Sequence, residues 1–214
     1  GGAEVIGLAG GWGVGFVGAS QTGTPITTTN WSLDNWGEML LANPSGGYIY
    51  YYPAGGSVTA AGHVPGGFST AANFLNAPVF SNGLFVAMPA QILVSWGSSI
   101  VEAIGVQQDP LLVRWSNQLD FTNWTVTATT QAGSYHIPTG SRIMGAVQAS
   151  QQALIFTDID VWAMVYQGLP FVFGFNKIAA GCGLIGQHAV TQLRGATYWM
   201  NQGNFFMLAG GGVE

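Results

Sequence analysis

Polar chemistry collects in one short stretch of this chain. "RWSNQLDFTNWT" (Arg114 to Thr125) holds two tryptophans, two asparagines, an aspartate and one of the three arginines. A guanidinium fork is the natural partner of a carboxylate, so Arg114, Arg142 and Arg194 raise the question of an anion-binding triad such as a glycosidase could use. That chemistry also needs two carboxyl groups set as nucleophile or base and as acid. Glu4, Glu38, Glu102, Asp109, Asp158 and Asp160 show no spacing that singles out such a pair. Asp158 and Asp160 fall in "TDID", where acidic residues commonly serve the turn itself.

The remaining reactive groups stand apart. His63, His136 and His188 have no Cys or His neighbour at metal-ligand spacing. Cys182, in "GCGL", has no adjacent base and reads as a small buried thiol. "GLAGGWGVGFVGASQTGT" near the start is rich in glycine but lacks the strand-to-helix context of a phosphate loop, and reads as a strand and loop. "NWSLDNWGE" (Asn30 to Glu38) repeats the Trp-Ser, Asp, Trp order of the 114–125 stretch. Asp34 and Asp120 are therefore expected to brace turns while the tryptophans pack against sheet. "NWS" at Asn30 and "NWT" at Asn123 match a glycosylation acceptor, which has meaning only in a secretory pathway. In "PFVFGFNKI", Phe171, Phe173 and Phe175 share one face of an extended segment, for core packing or for a subunit contact. These residues imply no catalytic, cofactor-binding or metal site.

The elements that carry them have the period of strands. Runs of β-branched and aromatic residues alternate with Gly, Asn, Pro and Ser turn signals, and long helical patterns are absent. Four hairpin-like units recur: "EMLLANPSGGYIYYYPAGG", "LFVAMPAQILVSWGSS", "ALIFTDIDVWAMVYQG" and "ATYWMNQGNFFMLAGGG". Comparable positions Leu41, Val86, Ile155 and Trp199 lie 45, 69 and 44 residues apart by their numbers. Two of these intervals fit a four-stranded propeller blade of roughly 40–50 residues. "RIMGAVQAS" and "HAVTQLRG" supply strands ahead of the third and fourth units. The expectation is all-β: a single β-propeller-type domain over residues 1–214, of about four blade-like units, with 98–142 as a loop or insertion between blades. Four units is near the lower end for a closed propeller, and the chain does not begin with Met, so an incomplete propeller is expected.

Composition narrows the function classes. Charged residues make up 6% of 214, against roughly 25% in an average soluble domain. Mean hydropathy is +0.32. So few charges suggest that much of the outside is covered by other subunits, since free monomers rely on charged surface for solubility. A spanning helix needs about 20 apolar residues, and the best candidate, "GLFVAMPAQILVSWG", is interrupted by Pro89 and Gln91. No basic region followed by an apolar core marks a signal peptide. Net charge is −5 with four basic residues in all, too few to grip phosphates tightly.

The second half of the chain resembles a known family. From Val113 to about Met200 the order "RWS…D…W", "QAG…I" followed by "GSRI", "FVFGFN" and "CGLIG" is similar to the packaged-DNA-stabilisation, or tail hub and nozzle, proteins of short-tailed bacteriophages. "WSLDNWGEMLLANPSGGYIYYY" adds weaker support. The resemblance implies a virion protein, a propeller-bearing subunit of a homo-oligomeric ring in the tail, below the adaptor and portal. Such a ring continues the DNA channel and retains the packaged genome until ejection. It implies no enzyme activity, no cofactor, and passage of double-stranded DNA without tight or sequence-specific binding. An acidic, lysine-poor wall would suit such a conduit. The other class in view is a carbohydrate- or receptor-binding propeller with exposed tryptophans such as Trp31 or Trp115 as stacking platforms.

Overall fold

A computed structural model describes residues 29–52, 69–70, 75–102, 105–150, 152–210 and 212–214. The glycine-rich start, Glu4 and His63 lie outside the described residues. Those described form an all-β structure without helices, built of small antiparallel sheets.

Among the described residues, eighteen strands make four four-stranded sheets and one two-stranded hairpin. The first sheet runs β1 (Trp31–Trp36), β2 (Met39–Pro44), β3 (Tyr50–Tyr52), β4 (Ser69–Thr70). The second runs β5 (Gly83–Ala87), β6 (Ile92–Trp96), β9 (Leu112–Trp115), β10 (Gly133–His136), with the hairpin β7 (Ser99–Glu102) and β8 (Gly105–Gln108) inserted at its middle connection. The third runs β11 (Ile143–Gln148), β12 (Ala153–Thr157), β13 (Asp160–Gly168), β14 (Val172–Ala180). The fourth runs β15 (Val190–Leu193), β16 (Ala196–Met200), β17 (Phe205–Ala209), β18 (Gly212–Val213). Each is a meander whose neighbours pair antiparallel.

The inserted hairpin explains where the spacing argument slips. In sheets one, three and four the repeated sequence unit is the middle hairpin, β2–β3, β12–β13 and β16–β17. In sheet two it is the first hairpin, β5–β6, because the β7–β8 excursion separates the second strand from the third. Local turn signals see only adjacent strands. Residues 98–142 are accordingly more than a connection between units: they hold the inserted hairpin and also β9 and β10, which complete the second sheet.

The four sheets pack face to face in chain order, with a separate core at each interface. Between sheets one and two lie Trp36, Leu41, Leu84, Val86 and Leu93. Between two and three lie Phe85, Ile92, Val94, Ile155 and Met164. Between three and four lie Leu154, Phe156, Cys182, Leu184 and Trp199. Side chains alternate sides along a strand, so β12 sends Ile155 to one core and Leu154 and Phe156 to the other. Sheets buried on both faces read as continuous apolar runs rather than as alternation. β5, β6 and β12 are such runs, buried at every residue.

Two glycines make room for the largest side chains of sheet two. Gly83 pairs across strands with Trp96, and Gly133 with Trp115. A Cβ on Gly83 would collide with the Trp96 ring, and one on Gly133 would sit 2.6 Å from Trp115. Each indole covers the backbone of a glycine on the outer strand, a known way of securing glycine in a sheet.

Candidate functional site

The 114–125 stretch leaves β9 and folds into a compact loop. Its two tryptophans go to opposite faces of sheet two. Trp115 packs in the core shared with sheet three, and Trp124 in the core shared with sheet one. Each indole N–H is satisfied by a backbone carbonyl: Trp115 Nε1 donates to Gln131 at 2.7 Å, and Trp124 Nε1 to Phe121 at 2.9 Å. The polar residues hold the loop. Asp120 Oδ1 accepts from Thr122 N (3.0 Å) and its hydroxyl (2.6 Å). Asn117 Oδ1 accepts from Gln131 N at 2.8 Å, and Ser116 Oγ from Leu93 N at 3.1 Å. The stretch is polar because it must turn sharply while anchoring two cores.

Asp34 behaves differently from its expected role. It lies within strand β1, and the turn is Gly37–Glu38. Its Oδ2 accepts from Val86 N at 2.7 Å, so it ties the edge strand of sheet one to that of sheet two. The buried Val86 amide has no ladder partner on that side, and leaving such a donor unpaired costs about 1–3 kcal/mol. Ser32 is likewise a strand residue, and its hydroxyl accepts from Gln187 Nε2 at 2.6 Å, joining β1 to the lead-in of sheet four. Trp-Ser-Asp-Trp similarity misled here because turn and strand-edge roles use the same side-chain acceptors.

In the third sheet the "TDID" residues divide between roles. Thr157 Oγ1 accepts from the Ile159 and Asp160 amides, which closes the turn. Asp158 is bound by Ser141 through its backbone N–H and hydroxyl. Asp160 is buried; its Oδ2 takes Thr139 Oγ1 at 2.6 Å and Lys177 Nζ at 2.9 Å. Burial pushes the Asp160 carboxyl up, but the Thr139 and Lys177 hydrogen bonds and the Lys177 charge outweigh this and hold it below its ordinary value. Burial, and then the charge of Asp160, push the Cys182 thiol up, which suits an inert buried thiol and not a nucleophile.

The structure brings no catalytic constellation together among the described residues. Arg114, Arg142 and Arg194 fall in or beside three different sheets and form no triad. His136 pairs with Asp109 at 3.2 Å, while His188 is exposed. No group of three His, Cys, Asp or Glu side chains among the described residues could hold a metal. No helix there is long and apolar enough to cross a membrane. Trp115 is buried and cannot be a stacking platform, whereas Trp31 is 47% exposed. Of the phenylalanine ladder, Phe173 is core and Phe175 stacks on Tyr135 with centroids 4.1 Å apart. Phe171 is exposed, separated from the other two by Val172 at φ 55°.

Two surfaces went unseen at the level of sequence. The first is a pair of adjoining polar clefts of about 340 and 510 Å³ that share Arg142. Segments from all four sheets reach them, among them Asn30, Asn82, Gln187 and Asn204. The second is the outer face of sheet four, where a cleft of about 310 Å³ is lined by Tyr198, Met200 and Phe205. Strand alternation in β15–β17 is the signal that could have revealed it. Comparison with protein-family profiles and with curated protein sequences finds no match for this chain.

Proposed function

We propose that this chain is a structural, non-enzymatic virion protein of a bacteriophage tail, a propeller-type subunit of the nozzle or hub ring below portal and adaptor. In that role it extends the DNA channel and helps retain and release the packaged genome. The observation that carries the reading is the uncovered face of sheet four. Leu193, Tyr198 and Phe205 are 61%, 38% and 83% exposed there, and the charged side chain that shares their face is Glu214 at its edge, paired through its backbone with Met207. Exposed apolar patches on a sheet mark an interaction surface.

The arrangement of the described sheets supports the propeller form of the proposal. Four meanders of blade size follow one another, each packed on the next, and β5 adjoins both β1 and β11 as leading strands of neighbouring blades do. Corresponding turns also line up: Gln148 Nε2, at the end of β11, reaches the Met88 carbonyl in the β5–β6 turn, and Gln192 Nε2 reaches the Gln148 carbonyl. The uncovered face of sheet four then offers the next sheet or subunit the same apolar chemistry as the three internal interfaces. The scarcity of basic residues favours a channel that passes DNA over one that holds it.

The test is electron microscopy of the wild-type protein beside Leu193→Asp/Phe205→Asp. The wild type should give ring-shaped assemblies with a central channel; the double variant should keep its circular dichroism and melting but lose the rings. Dispersed wild-type monomers would sink the assembly role. One observation favours a second reading, a glycan- or receptor-binding module: the Arg142 clefts are rich in amide side chains, which match sugar hydroxyls as donors and acceptors at once. Retention on a glycan array, abolished by Arg142→Ala, would favour it.

A further inference from the structure

Among the described residues, Arg114 is a cation without an anion. Its Nη1 donates to the Ser99 carbonyl at 2.8 Å and its Nη2 to the Asn76 carbonyl at 2.5 Å. Its guanidinium also lies over the Trp124 ring, 5.9 Å from the centroid. A guanidinium has five N–H donors, so three remain after these two bonds. Both acceptors are neutral. The ion pairs among the described residues are His136–Asp109 and Lys177–Asp160, and neither involves Arg114. Burial pushes its pKa down, and no acid among the described residues offsets it. A partly desolvated charge left unpaired is costly, and the two carbonyls supply only dipoles against it.

Space for the missing partner adjoins the guanidinium. Arg114 lines a cleft of about 260 Å³ together with Asn76, Trp124, Val126 and Ser134. Ser134 stands directly across from Arg114 in the β9–β10 ladder, which places the two side chains on one face of the sheet. Ser134 is exposed and makes no side-chain hydrogen bond among the described residues. Trp124 and Val126 give the cleft an apolar wall.

We propose that this cleft binds a carboxylate on a short aliphatic stem, held by the free N–H groups of Arg114 with the Ser134 hydroxyl as a further donor. The planar fork of arginine matches the two oxygens of a carboxylate, and the Trp124–Val126 wall takes the stem. A small free acid and a Glu or Asp side chain of a neighbouring subunit share this chemistry. The carboxylate site itself stands apart from the tail assignment, since it needs only sheet two and the loops packed on it; telling its two occupants apart rests on the ring of the proposed function.

The chain has three arginines, so a ¹⁵N spectrum of the Nε–Hε groups contains three resonances, and Arg114→Lys identifies the one that matters. Sodium propionate, added at constant ionic strength against sodium chloride, should shift the Arg114 resonance saturably and leave those of Arg142 and Arg194 in place. Arg114→Lys keeps the charge but loses the fork, and should weaken propionate binding, followed on the Ser134 amide, about tenfold. Ser134→Glu places a carboxylate opposite Arg114; it should shift the Arg114 resonance without ligand and abolish the propionate response. Equal shifts of all three arginines, or an unchanged propionate response in Ser134→Glu, would overturn the proposal. A propionate response in the isolated chain that vanishes in the assembled ring identifies a neighbour's acidic side chain as occupant. A response that persists in the ring identifies a free acid.

Discussion

Sheets three and four are both four-stranded antiparallel meanders, yet they use their residues differently. Sheet three is covered on both sides: β12 is buried along its whole length, with Ile155 facing sheet two and Leu154 and Phe156 facing sheet four. Sheet four is covered on one side. Trp199 is buried against sheet three, while its neighbour Tyr198 and the more distant Phe205 face outward. Apart from Thr191 and Glu214, the outward face nevertheless has apolar side chains such as a core uses. Sheet three thus shows what a completed interface looks like, and sheet four shows one side of an interface of the same kind.

Truncation is the strongest way to separate the two. Ile155→Ala removes a fully buried side chain from a filled core and should cost about 2–5 kcal/mol, seen as a loss of denaturant midpoint. Tyr198→Ala, on the outer face of sheet four, should change the stability of the isolated chain by no more than about 0.5 kcal/mol. A large loss for Tyr198→Ala in a dispersed monomer would mean that the outer face is already covered, and the contrast would fail.

A smaller effect sharpens the account of why sheet two can be covered on both sides. Gly133→Ala drives a methyl group into the Trp115 ring, a buried indole that can yield only by disturbing the core. Overpacking of this kind costs about 1–3 kcal/mol. Gly186→Ala, whose added Cβ meets nothing within 4 Å, is the control and should be close to neutral. Equal melting temperatures for the two variants would show that the indole is not fixed over the glycine.

Much of the strand pattern was legible because hydrophobic runs and turn signals are local. All four hairpin units, and the strands ahead of the third and fourth, fall where they were expected. The phase of the second unit was hidden, because the β7–β8 hairpin sets β6 and β9 apart in sequence while leaving them paired in space. The roles of the aspartates were hidden for a related reason. Asp120 bonds two residues away and reads correctly as a turn brace, whereas Asp34 bonds Val86, 52 residues away. Arg114 illustrates the same limit. Its type and neighbours were plain, but that no acid among the described residues pairs with it is a property of the packed chain.

The mildest effect concerns charge, and it contrasts the one buried carboxylate in the third sheet with Arg114 of the second, which has no acid partner among the described residues. Asp160 is held below its ordinary pKa in the folded protein, so the fold favours its ionised form. Stability from this group is therefore present above the unfolded carboxylate pKa and is lost as pH falls through the lower folded value. Asp158, bound by Ser141, has the same sign: burial raises its pKa, but the Ser141 hydrogen bonds outweigh that and lower it. Asp160→Asn should lower the melting temperature at neutral pH and flatten its decline on acidification. Lys177 would then keep its place over the Trp162 ring, 5.5 Å from the centroid, without its carboxylate. An acid transition as steep in Asp160→Asn as in the wild type would assign the pH dependence to Asp158 or to the exposed acids instead.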